Sequence, residues 1–90
     1  MKIYLLYEEG EEQDIVRSAN QSIGGAKSAA QDLSNAAYRE YINHNPLDAI
    51  ITPAIKWRKD THSSMYYGEA YDKKTYFDAR FFIREFELKD

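Results

Sequence analysis

Cysteine is absent from this 90-residue chain, proline and histidine occur twice each, and glycine occurs four times. Without cysteine there is no disulfide framework, no thiol nucleophile and no thiolate metal site. A small secreted domain ordinarily reinforces its thin core with disulfides, so the chain reads as cytoplasmic. Long apolar runs are missing too. The longest near the start, Ile3 to Tyr7, ends in a cluster of acids, unlike a signal peptide. No segment approaches the roughly 18 apolar residues of a membrane span. A basic excess is also lacking: 12 Lys and Arg face 15 Asp and Glu, for a net charge of −3. That excludes a dedicated duplex-binding protein, which carries strong positive charge.

What is present is the composition of a folded protein, 43% hydrophobic and 14% aromatic. The length suits one domain, residues 1–90. A domain of this size buries only about 60–65% of its unfolded surface, so its core is small. Charge is unevenly spread. Glu8, Glu9, Glu11, Glu12 and Asp14 crowd together with no base among them, whereas bases and acids balance from Leu47 onwards.

Hydrophobic periodicity divides the chain. Lys2 to Glu8 alternates as a strand with both faces apolar, Ile3, Leu5 and Tyr7 against Tyr4 and Leu6, which predicts a central position. Gly10 marks a turn, and Asp14 to Ile23 is a weaker second strand, so the two form a hairpin. From Ala26 to Asn43, apolar residues recur at three- and four-residue spacing, the signature of a helix with a small-residue face. Gly24 and Gly25 sit at the turn into it, and Asn43, His44, Asn45 and Pro46 stop it. Ala49 to Lys59 alternates again, with Pro53 predicting an edge strand or bulge. Ser63 to Leu88 is rich in aromatics, turns at Asp72-Lys73-Lys74-Thr75, and closes with a strand over Phe81 to Leu88. The fold class is α+β: a β-hairpin followed by one main helix packed on a mostly antiparallel sheet of about four to five strands.

The opening Ile3-Tyr4-Leu5-Leu6-Tyr7 and the closing Ile83-Arg84-Glu85-Phe86-Glu87-Leu88 are similar to the ends of many small uncharacterised proteins of bacteriophages and bacteria. Those proteins run strand, strand, alanine-rich helix and strand. The resemblance covers the first 45 residues and the last ten, and leaves Leu47 to Arg80 without a counterpart. It implies a sheet with a helix across it, and it carries no catalytic residue.

Four features bear on function. Lys56-Trp57-Arg58-Lys59 interleaves bases with an aromatic, as proteins do when they hold single-stranded nucleic acid or nucleotides. Tyr66, Tyr67 and Tyr71 follow, and Arg80 and Arg84 lie further on. The plainer reading of the same run is a core Trp57 beside Ile55, with Lys56 and Arg58 on a solvated face. Secondly, nine of the thirteen aromatics fall at or after Trp57, more than one face of a thin sheet hides. They predict either a contact surface or a tyrosine-rich core with hydroxyls at the rim. Thirdly, Ser22-Ile23-Gly24-Gly25-Ala26-Lys27-Ser28 lacks the spacing of a Walker loop; its glycines serve the turn and close helix packing, the alternative being a phosphate contact by Lys27 and Ser28 at the helix N-terminus. Fourthly, the acid cluster from Glu8 to Asp14 matches no calcium-loop spacing and reads as a solvated hairpin turn. His44 and His62 form no metal-ligand pair, and no nucleophile and base are nominated, so no enzyme, cofactor or metal is expected.

The functional expectation is a small non-catalytic binding protein, a phage-type accessory or inhibitor factor that binds and blocks a host protein in the host cytoplasm. The alternatives are a nucleotide or single-stranded nucleic-acid binder and a self-associating structural component. The partner-binding residues are Lys56, Trp57, Arg58, Lys59, Tyr66, Tyr67, Tyr71 and Arg80.

Overall fold

A computed structural model describes residues 1–42 and 52–89. Along the chain come β1 (Lys2–Glu8), β2 (Ile15–Asn20), α1 (Ile23–Tyr41), β3 (Lys56–Lys59), β4 (Met65–Asp72) and β5 (Phe77–Glu87). The five strands form one sheet in the order β2-β1-β5-β4-β3, and every pairing is antiparallel. The expected α+β architecture, with its opening hairpin and a helix on the sheet, is the one observed.

The local chemistry explains where the elements begin and end. The β1–β2 turn holds Gly10 against the backbone carbonyl of Gln13, so closely that a Cβ would collide with it. Ser22 caps α1: its backbone is extended, and its Oγ accepts the Gly25 N–H at 2.9 Å. The helix therefore starts three residues earlier than its alanine periodicity suggests, with Gly24 and Gly25 inside the first turn and not ahead of it. Every fourth residue, Ala26, Ala30, Ser34 and Tyr38, is buried. Small side chains there let the backbone of α1 approach the sheet.

Beneath α1 lie Leu6, Ile83, Phe81, Phe77 and Ala70, joined by Ile55 just before β3. Burial of these apolar groups is the main stabilising term, at about 25 cal/mol per Å². Tyr38 meets Phe77 edge-on at 5.1 Å and donates its hydroxyl to Asp72 at 2.7 Å, which ties the end of the helix to the β4–β5 turn. Gln31 fastens the approach to β3. Its amide donates to the Pro53 carbonyl at 3.1 Å and accepts the Ile55 N–H at 3.0 Å. A helix side chain thus replaces the ladder bonds that proline denies this segment.

Three expected boundaries shift. The second strand spans Ile15–Asn20 within the expected Asp14 to Ile23. The third shrinks to Lys56–Lys59, because Pro53 and Ile55 bond to Gln31 of the helix and Thr52 to Ile55 form no strand. The last begins at Phe77, four residues early, because the β4–β5 hairpin pairs Asp72 with Phe77 across the expected turn. The expected stop from Asn43 to Pro46, and Ala49 to Ile51, lie outside the described residues.

Candidate functional site

Because strand side chains alternate between faces, the sheet has two surfaces of different fate. Tyr4, Leu6, Ile83, Phe81, Tyr66 and Trp57 point towards α1. Ile3, Leu5, Tyr7, Phe82, Met65 and Tyr67 point the other way, where no helix lies over them among the described residues.

The pairing registers align this second, open face into rows. One row crosses all five strands: Val16, Tyr7, Phe82, Tyr67 and Arg58. Tyr7 stacks on Phe82 with ring centroids 5.8 Å apart, Tyr67 meets Phe82 at 6.2 Å, and the Arg58 guanidinium covers Tyr67 at 4.7 Å. The next row holds Ala19, Leu5, Arg84 and Met65. Beyond it, Ile3 faces Phe86, over which Arg84 lies at 5.2 Å. On the other side of the aromatic row, Lys56, Glu69 and Arg80 are aligned. Here Arg80 bridges Glu69 at 3.4 Å and Asp78 at 3.3 Å. A depression of about 590 Å³ opens at this end, lined by Lys56, Arg58, Tyr67, Phe82 and Arg80 and bordered by Glu9 and Asp14 of the β1–β2 turn.

The eight residues singled out from the sequence divide between the two faces. Lys56, Arg58, Tyr67, Tyr71 and Arg80 share the open one. Trp57, Lys59 and Tyr66 lie on the α1 side. The Trp57 ring packs over Gly68, where a Cβ would sit 2.6 Å from it. Lys27 stands 5.9 Å from the Trp57 ring and 5.5 Å from that of Tyr66, and Lys59 stands 5.5 Å from Tyr66. Lys27 is thus turned towards these rings. Tyr71 occupies the far end of the open face, opposite Asp78 and 48% exposed.

Sequence reasoning left out Tyr7, Phe82, Leu5, Ile3 and Val16. Their signal is the two-sided apolar pattern of β1, which predicts a central strand. β1 is internal, between β2 and β5, as expected, but among the described residues only one of its faces carries a helix.

Other titratable groups serve the frame. Asp60 accepts the His62 N–H at 3.1 Å and the Ser63 hydroxyl at 2.8 Å, so that this histidine and serine build the β3–β4 turn. Those bonds hold the Asp60 carboxyl below the usual range. Asp72 is lowered likewise, first by the Tyr38 hydroxyl, then by Thr75 and the Lys74 N–H. Among the described residues, no three His, Cys, Asp or Glu side chains gather as a metal site would require, and no helix is long and apolar enough to cross a membrane. Compared with protein-family models, with curated proteins and with solved structures, the chain has no match.

Proposed function

We propose that this is a small non-catalytic binding protein that engages another protein through the open face of its sheet, acting as an accessory or inhibitor factor that occupies and so blocks its target. One observation supports the reading: an apolar and aromatic row runs across all five strands on the face that no helix covers among the described residues. Sheets with two apolar faces are ordinarily covered on both. A contiguous apolar patch rimmed by polar groups marks an interaction surface. Tyrosine and arginine, which flank Phe82 here, are enriched among the residues that carry binding energy at interfaces.

Affinity capture from a bacterial lysate tests it, comparing the wild type with Val16→Asp and Tyr67→Ser. Val16 is 54% exposed, so its replacement leaves the fold intact. The reading expects a near-stoichiometric partner for the wild type and none for the variants. A wild type without a partner, or variants that keep it, would contradict it.

The second reading, a nucleotide or single-stranded nucleic-acid binder, draws on Arg58 over Tyr67 and Arg84 over Phe86, since guanidinium and aromatic planes both stack on bases. Its sign is tyrosine quenching by a thymidine oligonucleotide that fades as salt rises. Trp57, on the α1 side, is the wrong reporter for it.

A further inference from the structure

Building on the reading above, we infer that the open face fits an acidic partner, an amphipathic helix that lays apolar side chains on the aromatic row and carboxylates on the bases around it. The charge arrangement carries this inference. Four bases, Lys56, Arg58, Arg80 and Arg84, stand on the strands of this face against Glu69 and Asp78, with Glu9 and Asp14 confined to its β1–β2 edge, although the whole chain is net −3. Glu69 and Asp78 are already held by Arg80. Among the described residues, Lys56, Arg58 and Arg84 have no ion pair. Each guanidinium is instead held over a ring, Arg58 on Tyr67 and Arg84 on Phe86, with its exposed donors available to a carboxylate.

The partner's form follows from the layers. α1 already covers the other face as a helix on a sheet, and the open face offers the same apolar footing. Five strands at about 4.8 Å spacing make a face about 20 Å wide, which a helix of about four turns spans. The acidic β1–β2 turn borders the Arg80 end, so the partner's carboxylates are directed towards Arg58 and Arg84 and away from Glu9 and Asp14. A second copy is a poorer occupant, because stacking two such faces sets bases against bases.

The test uses three probes in NMR titrations. The first is a helical peptide of about four turns with leucine along one face and glutamate elsewhere. The second replaces each glutamate with lysine, and the third is a thymidine oligonucleotide. The glutamate peptide should shift the Tyr7, Tyr67 and Phe82 amides, with affinity falling as salt rises. In Arg58→Glu with Arg84→Glu, that affinity should drop about tenfold or more, and the lysine peptide should bind instead. Both arginines are exposed, and circular dichroism checks that the double variant stays folded.

Equal binding of both peptides, binding of neither, or binding of the oligonucleotide alone would overturn the inference. So would a dimer in sedimentation that Val16→Asp dissolves. The lysate capture separates the two levels of the argument. Loss of the partner in Tyr67→Ser but not in the double charge reversal removes the acidic partner and keeps the docking face. Retention in Tyr67→Ser removes the face itself.

Discussion

Replacing Ser34 with alanine should make this protein more stable. Ser34 sits midway along α1, fully buried against the sheet, and its Oγ has no hydrogen-bond partner among the described residues. A buried hydroxyl left unsatisfied costs about 1–3 kcal/mol. Alanine also has the higher helix propensity, by about 0.5 kcal/mol. Against these gains stands the void left by one oxygen, worth less than the roughly 1 kcal/mol of a missing methyl group. The balance is a stabilisation of about 1–2 kcal/mol. With a urea m-value of about 1–2 kcal/mol/M, the unfolding midpoint should rise by about 1 M. The melting temperature should rise by about 4–8 °C for each kcal/mol. Ser34→Thr is the counterpart, since its extra methyl must fit a fully buried position and should cost about 1–3 kcal/mol. A lower urea midpoint for Ser34→Ala would refute the reasoning. It would mean that the hydroxyl bonds a carbonyl of the preceding turn.

Other perturbations probe the remaining frame. Gly68→Ala would put a Cβ 2.6 Å from the Trp57 ring and 2.7 Å from the Ile55 side chain, so it should destabilise by about 1–3 kcal/mol. An unchanged thermal melt would contradict the seating of Trp57. Tyr76 holds a left-handed φ of 63° while its side chain is 76% exposed. Tyr76→Gly removes a strain of about 1–2 kcal/mol and adds about 0.5–1 kcal/mol of chain entropy cost. Urea melts should therefore show a gain of up to about 1 kcal/mol, and a loss would place a needed contact on the ring. Asp72 titrates below the ordinary carboxylate range, so its contribution is complete above that range and is lost as pH falls through the lowered pKa. Asp72→Asn should be less stable than the wild type near neutrality and converge with it in acid. Parallel stability curves across that window would contradict the Tyr38 bond. Tyr38 itself is pushed up, first by the hydrogen bond to Asp72 and then by burial. That contribution holds below the ordinary tyrosine value and fades as pH climbs through the raised one.

The fold was legible where one local rule decided it. Alternation over Lys2 to Glu8 matched β1, alanine spacing located α1, and the turn after Asp72 was visible in its polar run. The start of α1 was missed because the Ser22 cap outweighs the low helix propensity of Gly24 and Gly25. The length of β3 was missed because Gln31, far away in sequence, captures the backbone before Lys56. The surface was only half legible. Alternation separated Lys56 and Arg58 from Trp57, but the face each one joins depends on register. Pairing Trp57 with Gly68 and Arg58 with Tyr67 sends neighbouring tyrosines to opposite sides. Phe82 and Tyr7, 75 residues apart in the chain, become neighbours only because β1 and β5 lie next to each other in the sheet.

The most direct test of the open face is hydroxyl-radical footprinting of the tagged chain in bacterial lysate and in buffer. Oxidation of Met65, Tyr67 and Phe82 should fall in the lysate, while the exposed Tyr41 on α1 and Tyr76 in the β4–β5 turn react as before. Unchanged oxidation of Tyr67 and Phe82, or protection confined to Tyr41 and Tyr76, would contradict it.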